Sequence, residues 1–517
     1  MANVQLFQSL KNKFLPVAAA INEESAPAYA LSPKHQLAQY AATGCLNATF
    51  YASAEAQLEQ VLELCQDMDA RFIAQTAVYC RERGYMKDMP VLLTAVLAAQ
   101  GRAELTPVFN RVIDNGKMLR TFVQIIRSGA AGRKSLGSRP KKLVQAWLNN
   151  ASEKALLSAA IGNTPSLADV VKMVHPKPAE AWRAAFFAWL IGKPYQAEAL
   201  PPTLAAFETY KQDRTLPLPE VPFQMLTALE LSAGAWAQIA RHGGWQMVRM
   251  NLNTFARHGV YAMPGMVDAI ATKLRDAALI EKARVFPYQL LSAYLAASDE
   301  VPLAIRDALQ DALEIALQNV PQIEGRVVVC PDVSGSMASP VTGYRHGATS
   351  KVRCIDVAGL MAAAILRKNP DAMVIPFAVD VVKCPLNHRD TVMTNAGKLA
   401  AIGGGGTNCS APLARMNKDK VNADLVVYVS DNESWVDAKR QLATETMLQW
   451  DLFKRRNPQA KLVCIDITPH ATTQAAERAD VLNVGGFSDD VFKIVAAFAT
   501  GQLGAAHWLG EIEAIDI

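Results

Sequence analysis

Between Arg326 and Ile467 the sequence repeats one phrase: a short run of consecutive apolar, mostly β-branched residues, then a longer stretch with helical spacing. The runs are "RVVVC", "AMVIPFA", "DLVVYVS" and "KLVCIDI". A strand with one face in water alternates apolar and polar side chains. These runs do not alternate, so both of their faces must be covered, and the segments between them supply the cover. Strands joined through a helix come out parallel. The pattern predicts a doubly wound α/β domain with a parallel sheet over residues 322–517. In such sheets ligands bind in the loops beyond the carboxyl ends of the strands. Three polar motifs fall there: "DVSGSM" after "VVVC", "GGGGTN" in a loop, and "SDNES" after "LVVYV".

Asp332, Ser334 and Ser336 are spaced two apart. In an extended loop alternate side chains point the same way, so one carboxylate and two hydroxyls converge. Thr407, after four glycines, can add a hydroxyl, and Asp431 a second carboxylate. All five donors are hard oxygens, which suit Mg²⁺, with Mn²⁺ or Ca²⁺ as alternatives, and not zinc. An isolated DxSxS can also be a capped turn; three motifs in order on one rim favour the metal. This segment resembles a von Willebrand factor A domain, whose metal-ion-dependent adhesion site is a DxSxS, then a Thr, then an Asp. The resemblance implies a binding domain whose ion accepts an acidic side chain from a partner.

Residues 1–321 read as helix after helix. "AEAQLEQVLELCQDMDARFIAQTAVYCRERG" keeps apolar residues at i, i+3, i+4 and i+7 for many turns. The segments come in pairs with short loops and no strict repeat period, as in stacked HEAT-like helical hairpins. At 517 residues the chain exceeds one core. No stretch reaches the ~18 apolar residues of a membrane span. The eight cysteines lack CxxC spacing and several sit in apolar runs, which points to reduced thiols and a cytoplasmic protein. A net charge of +4 is nearly neutral for this length, so any basic surface is local.

Two acid-free spans supply such surfaces. Residues 115–152 contain Lys117, Arg120, Arg127, Arg133, Lys134, Arg139, Lys141 and Lys142, with the Gly/Ser-rich "RSGAAGRKSLGSRPKK" predicted as a loop ahead of the helix "KKLVQAWLNN". Residues 231–267 contain Arg241, His242, Trp245, Arg249, Arg257 and His258. Basic side chains are common on any solvated face; two long spans in a nearly neutral chain favour an anionic partner.

The basic loop before an aromatic helix, "MVHPKP", "GGWQMVRMNLNTFARHGV" and "EKARVFPYQLLSAY" resemble the TROVE module of the Ro autoantigen-like RNA-binding proteins, which join a ring of HEAT-like helices to a C-terminal von Willebrand A domain. Both modules stand here in that order, and the compact length resembles the bacterial branch. The resemblance implies a monomer that does not catalyse. It binds small noncoding Y-like RNA on the outer ring surface and takes single-stranded 3′ ends of misfolded RNA into the hole. An exoribonuclease of the polynucleotide phosphorylase type and RNA repair enzymes are the implied protein partners, in RNA quality control. Carried over residue by residue, the RNA contacts are His175 and the basic-loop residues Arg133, Lys134, Arg139, Lys141 and Lys142; Arg127, Lys172, Arg249 and Arg284 are further candidate RNA contacts. One departure is "IGNTPSLADVV" ahead of His175, which has no Lys or Arg where animal members are basic; Lys172 and Lys177 are the substitutes at hand. Two other readings remain: a protein-interaction adaptor without RNA, and a metal-dependent hydrolase. The second is disfavoured because "DVSGSM" is not a G-x-S-x-G elbow and "GGGGTN" lacks the Lys-Ser/Thr of a phosphate loop.

Overall fold

The computed structural model describes residues 16–283, 285, 287–344, 351–435 and 443–517. From Pro33 to Ala316 the chain is almost wholly helical. The helix Gly116–Ser128 shows why. Met118, Leu119, Phe122, Val123 and Ile126 form one buried stripe, and each large apolar side chain so buried contributes roughly 1.5–3 kcal/mol. Asn115 caps its first turn through a bond from Met118 N, and Gly129, at φ 85°, ends it in the left-handed conformation. Phe122 meets Phe109 of the preceding helix edge-on at 5.2 Å. Successive helices pack on one another in this way along the array, Ala70–Glu82 on Asp88–Ala99 and the latter on Gly116–Ser128.

The C-terminal sheet is parallel throughout. Strands β3 (Val327–Pro331), β4 (Met373–Val374), β5 (Leu425–Ser430), β6 (Lys461–Asp466) and β8 (Val481–Gly485) lie in the order β4-β3-β5-β6-β8. Their uninterrupted apolar sequence divides by parity. Val327, Val329, Leu425, Val427 and Val463 face one side, packed with the helix Cys354–Lys368. Val328, Cys330, Val426, Leu462 and Cys464 face the other, beneath Met447, Trp450 and Phe453 of the helix Glu445–Arg456. The stretch "SWVDAKRQLATETMLQWDLFKRR" from Ser434 has helical spacing throughout, but the helix begins at Glu445 with Thr444 as its N-cap; residues 436–442 lie outside the described ones. "AMVIPFA" forms only a two-residue edge strand, although Ile375 N and Phe377 N carry the ladder on to Val329 O and Pro331 O. β8, "VLNVG", was not anticipated, because Asn483 and Gly485 break the apolar run.

The chain ends cross over between the two halves. β1 (Ala20–Ile21) and β2 (Pro27–Ala30) form a hairpin, and β2 pairs antiparallel with β7 (Thr472–Thr473) at the sheet domain's edge. The C-terminal helix His507–Glu513 packs back against Ala70–Glu82. There the fully buried Trp508 donates to Tyr79 Oη at 3.1 Å, and Tyr79 donates to Asp490 Oδ2 at 2.8 Å. All eight cysteines are free thiols.

His35 sits in this junction, its ring edge-on to Trp508 with the centroids 5.5 Å apart and its Nε2 without a partner among the described residues. Burial deprives the imidazolium of water and lowers its pKa to about 4. The unfolded chain takes up that proton near its ordinary value, so this contribution to stability is complete above pH 6.5 and lost as pH falls towards 4. Acidification across that window is expected to cost the protein about 3 kcal/mol relative to a His35→Phe variant. The check is urea unfolding of both proteins at pH 4 and 7, followed by Trp fluorescence; a difference independent of pH would refute the assignment.

Candidate metal centre and nucleic-acid surface

β3 delivers Asp332 at the carboxyl edge of the sheet, where Asp332 N donates to Val429 O of β5. The Asp332 carboxylate is fully buried and organises the loop that follows. Its Oδ1 accepts from Ser334 N at 2.8 Å, and its Oδ2 accepts from Ser430 Oγ at 2.6 Å. Ser334 Oγ and Ser336 Oγ lie 3.3 Å apart. The glycine loop comes down beside them: Gly335 N donates to Gly405 O at 2.8 Å. A Cβ on Gly335 would stand 3.1 Å from that oxygen, so a larger residue would push the glycine loop back by a few tenths of an ångström. The loop leaves Thr407 buried next to "DNES", with Trp435 N donating to Thr407 O at 3.1 Å.

Asp431 is 2% exposed, and its Oδ1 has no partner among the described residues. Burial and then the Asp332 charge push its carboxyl up to about 7. Asp332 is also raised, by burial, against the hydrogen bonds from Ser334 and Ser430. Two carboxylates sharing a dry site, one with an orphaned oxygen, form an arrangement that a cation stabilises. Among the described residues no three His, Cys, Asp or Glu gather as metal ligands; the remaining donors here are hydroxyls. The set Asp332, Ser334, Ser336, Thr407 and Asp431 therefore fits a hard divalent ion and not a soft one. Ser430, which orients Asp332, escaped notice in the sequence because it reads as the last residue of an apolar strand. Behind the site Glu433 and His470 pair at 3.0 Å. Burial alone would lower the histidine, but Glu433 carries it to about 9.

The basic residues separate into three groups. Arg127, Lys134, Lys142, Lys172 and Lys177 are exposed. His175, also exposed, caps the helix Leu167–Val174 in the left-handed conformation, φ 53°. Gln145, on the helix that carries Lys142, donates to Val174 O, so the basic helix and the His175 turn share one surface. That helix runs Ser138–Asn150 and so starts three residues before Lys141, shortening the predicted loop to residues 129–137. Pro140 is accommodated in its first turn, where no intrahelical N–H bond is lost.

Arg133 and Arg139 bind the protein itself. Arg133 donates to Ala98 O at 3.2 Å, and Arg139 to Arg102 O at 2.7 Å and Ala103 O at 2.6 Å. They anchor the loop as well as charging it. Lys141 is half-buried.

Arg249 lies elsewhere, half-buried and donating to Gln289 O at 2.7 Å, its pKa lowered to about 10 by burial. Gln289 lines a cavity of about 270 Å³ together with Lys87, Lys117 and Tyr288. Lys87 has its pKa lowered, first by burial and then by Lys117, Arg81 and Arg249. Early and late helices thus line one cavity, and Lys87 feels the charges of Lys117, Arg81 and Arg249. Lys87 gave no signal in the sequence, because only the fold brings it to the same cavity as Gln289. Arg284 lies outside the described residues.

Residues 326–499 match the family model described as the Ro60 vWA domain. A protein from Deinococcus radiodurans named RNA-binding protein RO60 is 26% identical over 516 residues, spanning 92% of this chain and 94% of its own length. A Caenorhabditis elegans protein of the same name is 23% identical over 252 residues, 46% of this chain and 37% of that one. The crystal structure of the Deinococcus radiodurans RO (RSR) protein superposes with a TM-score of 0.61 at 24% identity, covering 91% of this chain and all of that one. Residues 326–499 are thus similar to the Ro60 vWA domain, and the chain resembles the Deinococcus radiodurans Ro protein in sequence and in fold over nine-tenths of its length.

Proposed function

We propose that this protein is a non-catalytic, cytoplasmic RNA-binding protein of the Ro type, built from a helical-repeat ring (1–321) and a metal-binding A domain (322–517). The observation that carries the reading is one cavity lined by Lys87 and Lys117 of the early helices and by Gln289, whose carbonyl Arg249 binds, of a late one. Like charges held together cost stability in the free protein and are relieved by a polyanion. These cations form the inner site, for a single-stranded 3′ end. Lys134, Lys142, Lys172, Lys177 and His175 form the outer site, for a structured, Y-like small RNA. The similarity to proteins named RNA-binding protein RO60 supports RNA as the anion.

Contacts of this kind read the phosphate backbone and impose little sequence preference. With about five phosphates neutralised on the outer surface, the logarithm of the association constant should fall against log salt with a slope of about −4. Filter binding of a small structured RNA between low and physiological salt is the test. A flat profile would favour the adaptor reading.

The rim residues hold a divalent ion, Mg²⁺ first and Mn²⁺ or Ca²⁺ next. Bound there, the ion supplies a positive charge for an acidic side chain on a partner protein, for which an exoribonuclease or RNA repair enzyme is the candidate class. Asp332 and Asp431 would neutralise the ion, Ser430 fixes the Asp332 rotamer, and Gly335 holds the glycine loop beside the DxSxS loop through Gly405 O. The nearby His470 is committed to Glu433 and Thr468, which supports binding over hydrolysis. Among the described residues no helix is long and apolar enough to cross a membrane.

A further inference from the structure

Trp236, on the helix Ala233–His242, is 4% exposed, and the ring of His258 lies flat upon it. The centroids are 4.3 Å apart and the planes 13° from parallel. His258 follows the short helix Leu252–Arg257 and is itself exposed. A buried indole thus fixes the plane of an aromatic ring that stands in water. Two exposed cations accompany it, Arg257 beside it in the chain and Arg241 five residues after Trp236, about 7.5 Å along the helix axis. Arg257 Nη2 donates to Thr254 Oγ1 at 3.3 Å, and Arg241 Nη2 to Met266 Sδ at 3.5 Å. Neither contact neutralises a charge. The carbonyls at a helix end repel anions, but here Lys273 Nζ takes Ala240 O at 3.3 Å and Gly243 O at 2.9 Å. No Asp or Glu occurs from residue 231 to 267.

We propose that His258 is a stacking platform for an unpaired RNA base, with Arg257 and Arg241 binding the phosphates that adjoin it. Every base has a π-face, so an exposed aromatic ring takes any of them, and cations beside it hold the backbone. In a duplex the faces of each base are already covered by its neighbours, so the platform selects single strands. Trp236 holds the imidazole in one orientation, and the ring has less freedom to lose when a base settles on it. The platform is carried by other helices than Lys134, Lys142 and His175, and it gives the helical array a contact that reads strandedness where those residues read charge. The inference rests on the RNA reading proposed above.

The test uses the full chain and a short oligoadenylate carrying one fluorescent adenine analogue that is quenched when stacked. Wild type should bind it and quench it. His258→Leu still covers Trp236 but offers no aromatic face; it should weaken binding about tenfold and lose most of the quenching. His258→Phe should keep both. An abasic strand of the same length, with phosphates and no bases, should bind wild type and His258→Leu alike, whereas Arg257→Gln should weaken the two strands equally. Oligoadenylate affinity and quenching that are the same in wild type and His258→Leu, while a structured RNA still binds in a salt-dependent way, would overturn the platform and leave the RNA reading standing. Absence of salt-dependent binding of either RNA to wild type would overturn both.

Discussion

Exchanging Lys134, Lys142 and Lys172 together for glutamate is expected to lower the affinity for a structured small RNA about a thousandfold at low salt, and to flatten the salt slope by about three. These three are chosen because their ammonium groups are exposed. Arg133 and Arg139 carry equal charge but hold the loop to the carbonyls of Ala98, Arg102 and Ala103. Replacing them would leave those carbonyls unpaired and move the loop, mixing a folding effect with a binding one. The triple variant should therefore keep the wild-type melting temperature. Filter binding across salt, beside a thermal melt, separates the outcomes. An affinity within threefold of wild type would remove the outer surface from the account.

The second large effect is expected at Asp332. Asp332→Ala removes the carboxylate that accepts from both Ser334 N and Ser430 Oγ, and saturable Mn²⁺ binding should be lost by more than about a hundredfold, the scale of losing one direct ligand together with the orientation of two others. Asp332→Asn keeps the size of the side chain and tests the charge alone. It should also lose the ion while leaving the sheet intact. Calorimetric titration with Mn²⁺ reads both, and retention of a single tight site in either variant would exclude Asp332 as a ligand.

How much of this was visible beforehand follows from the range of the forces involved. The rim was legible because strand, loop and glycine motif are local, and a parallel sheet puts all such loops on one edge. Burial on both faces left the strands uniformly apolar, so they stood out by composition. β8 was missed because Asn483 and Gly485 serve contacts that the sequence does not announce: Asn483 bonds Ala475 O, and a Cβ on Gly485 would run into the side chain of the distant Gln39. The helical half was legible as a class, through its 3.6-residue stripes. Which residues share a cavity was not, since Lys87, Lys117 and Gln289 come together only when distant hairpins close. The same holds for the crossing termini. Nothing in "INEESAPAYA" announces that its turn will be held against a loop some four hundred residues later in the chain.

The central claim is that cations from separate helices converge on an RNA tail, and contact mapping tests it most directly. A hairpin RNA with a photoreactive nucleotide in its single-stranded 3′ tail should cross-link to peptides containing Lys87, Lys117 or Arg249, and a blunt hairpin of the same stem should not. Tail cross-links confined to the A domain, or equal labelling by the blunt RNA, would contradict it.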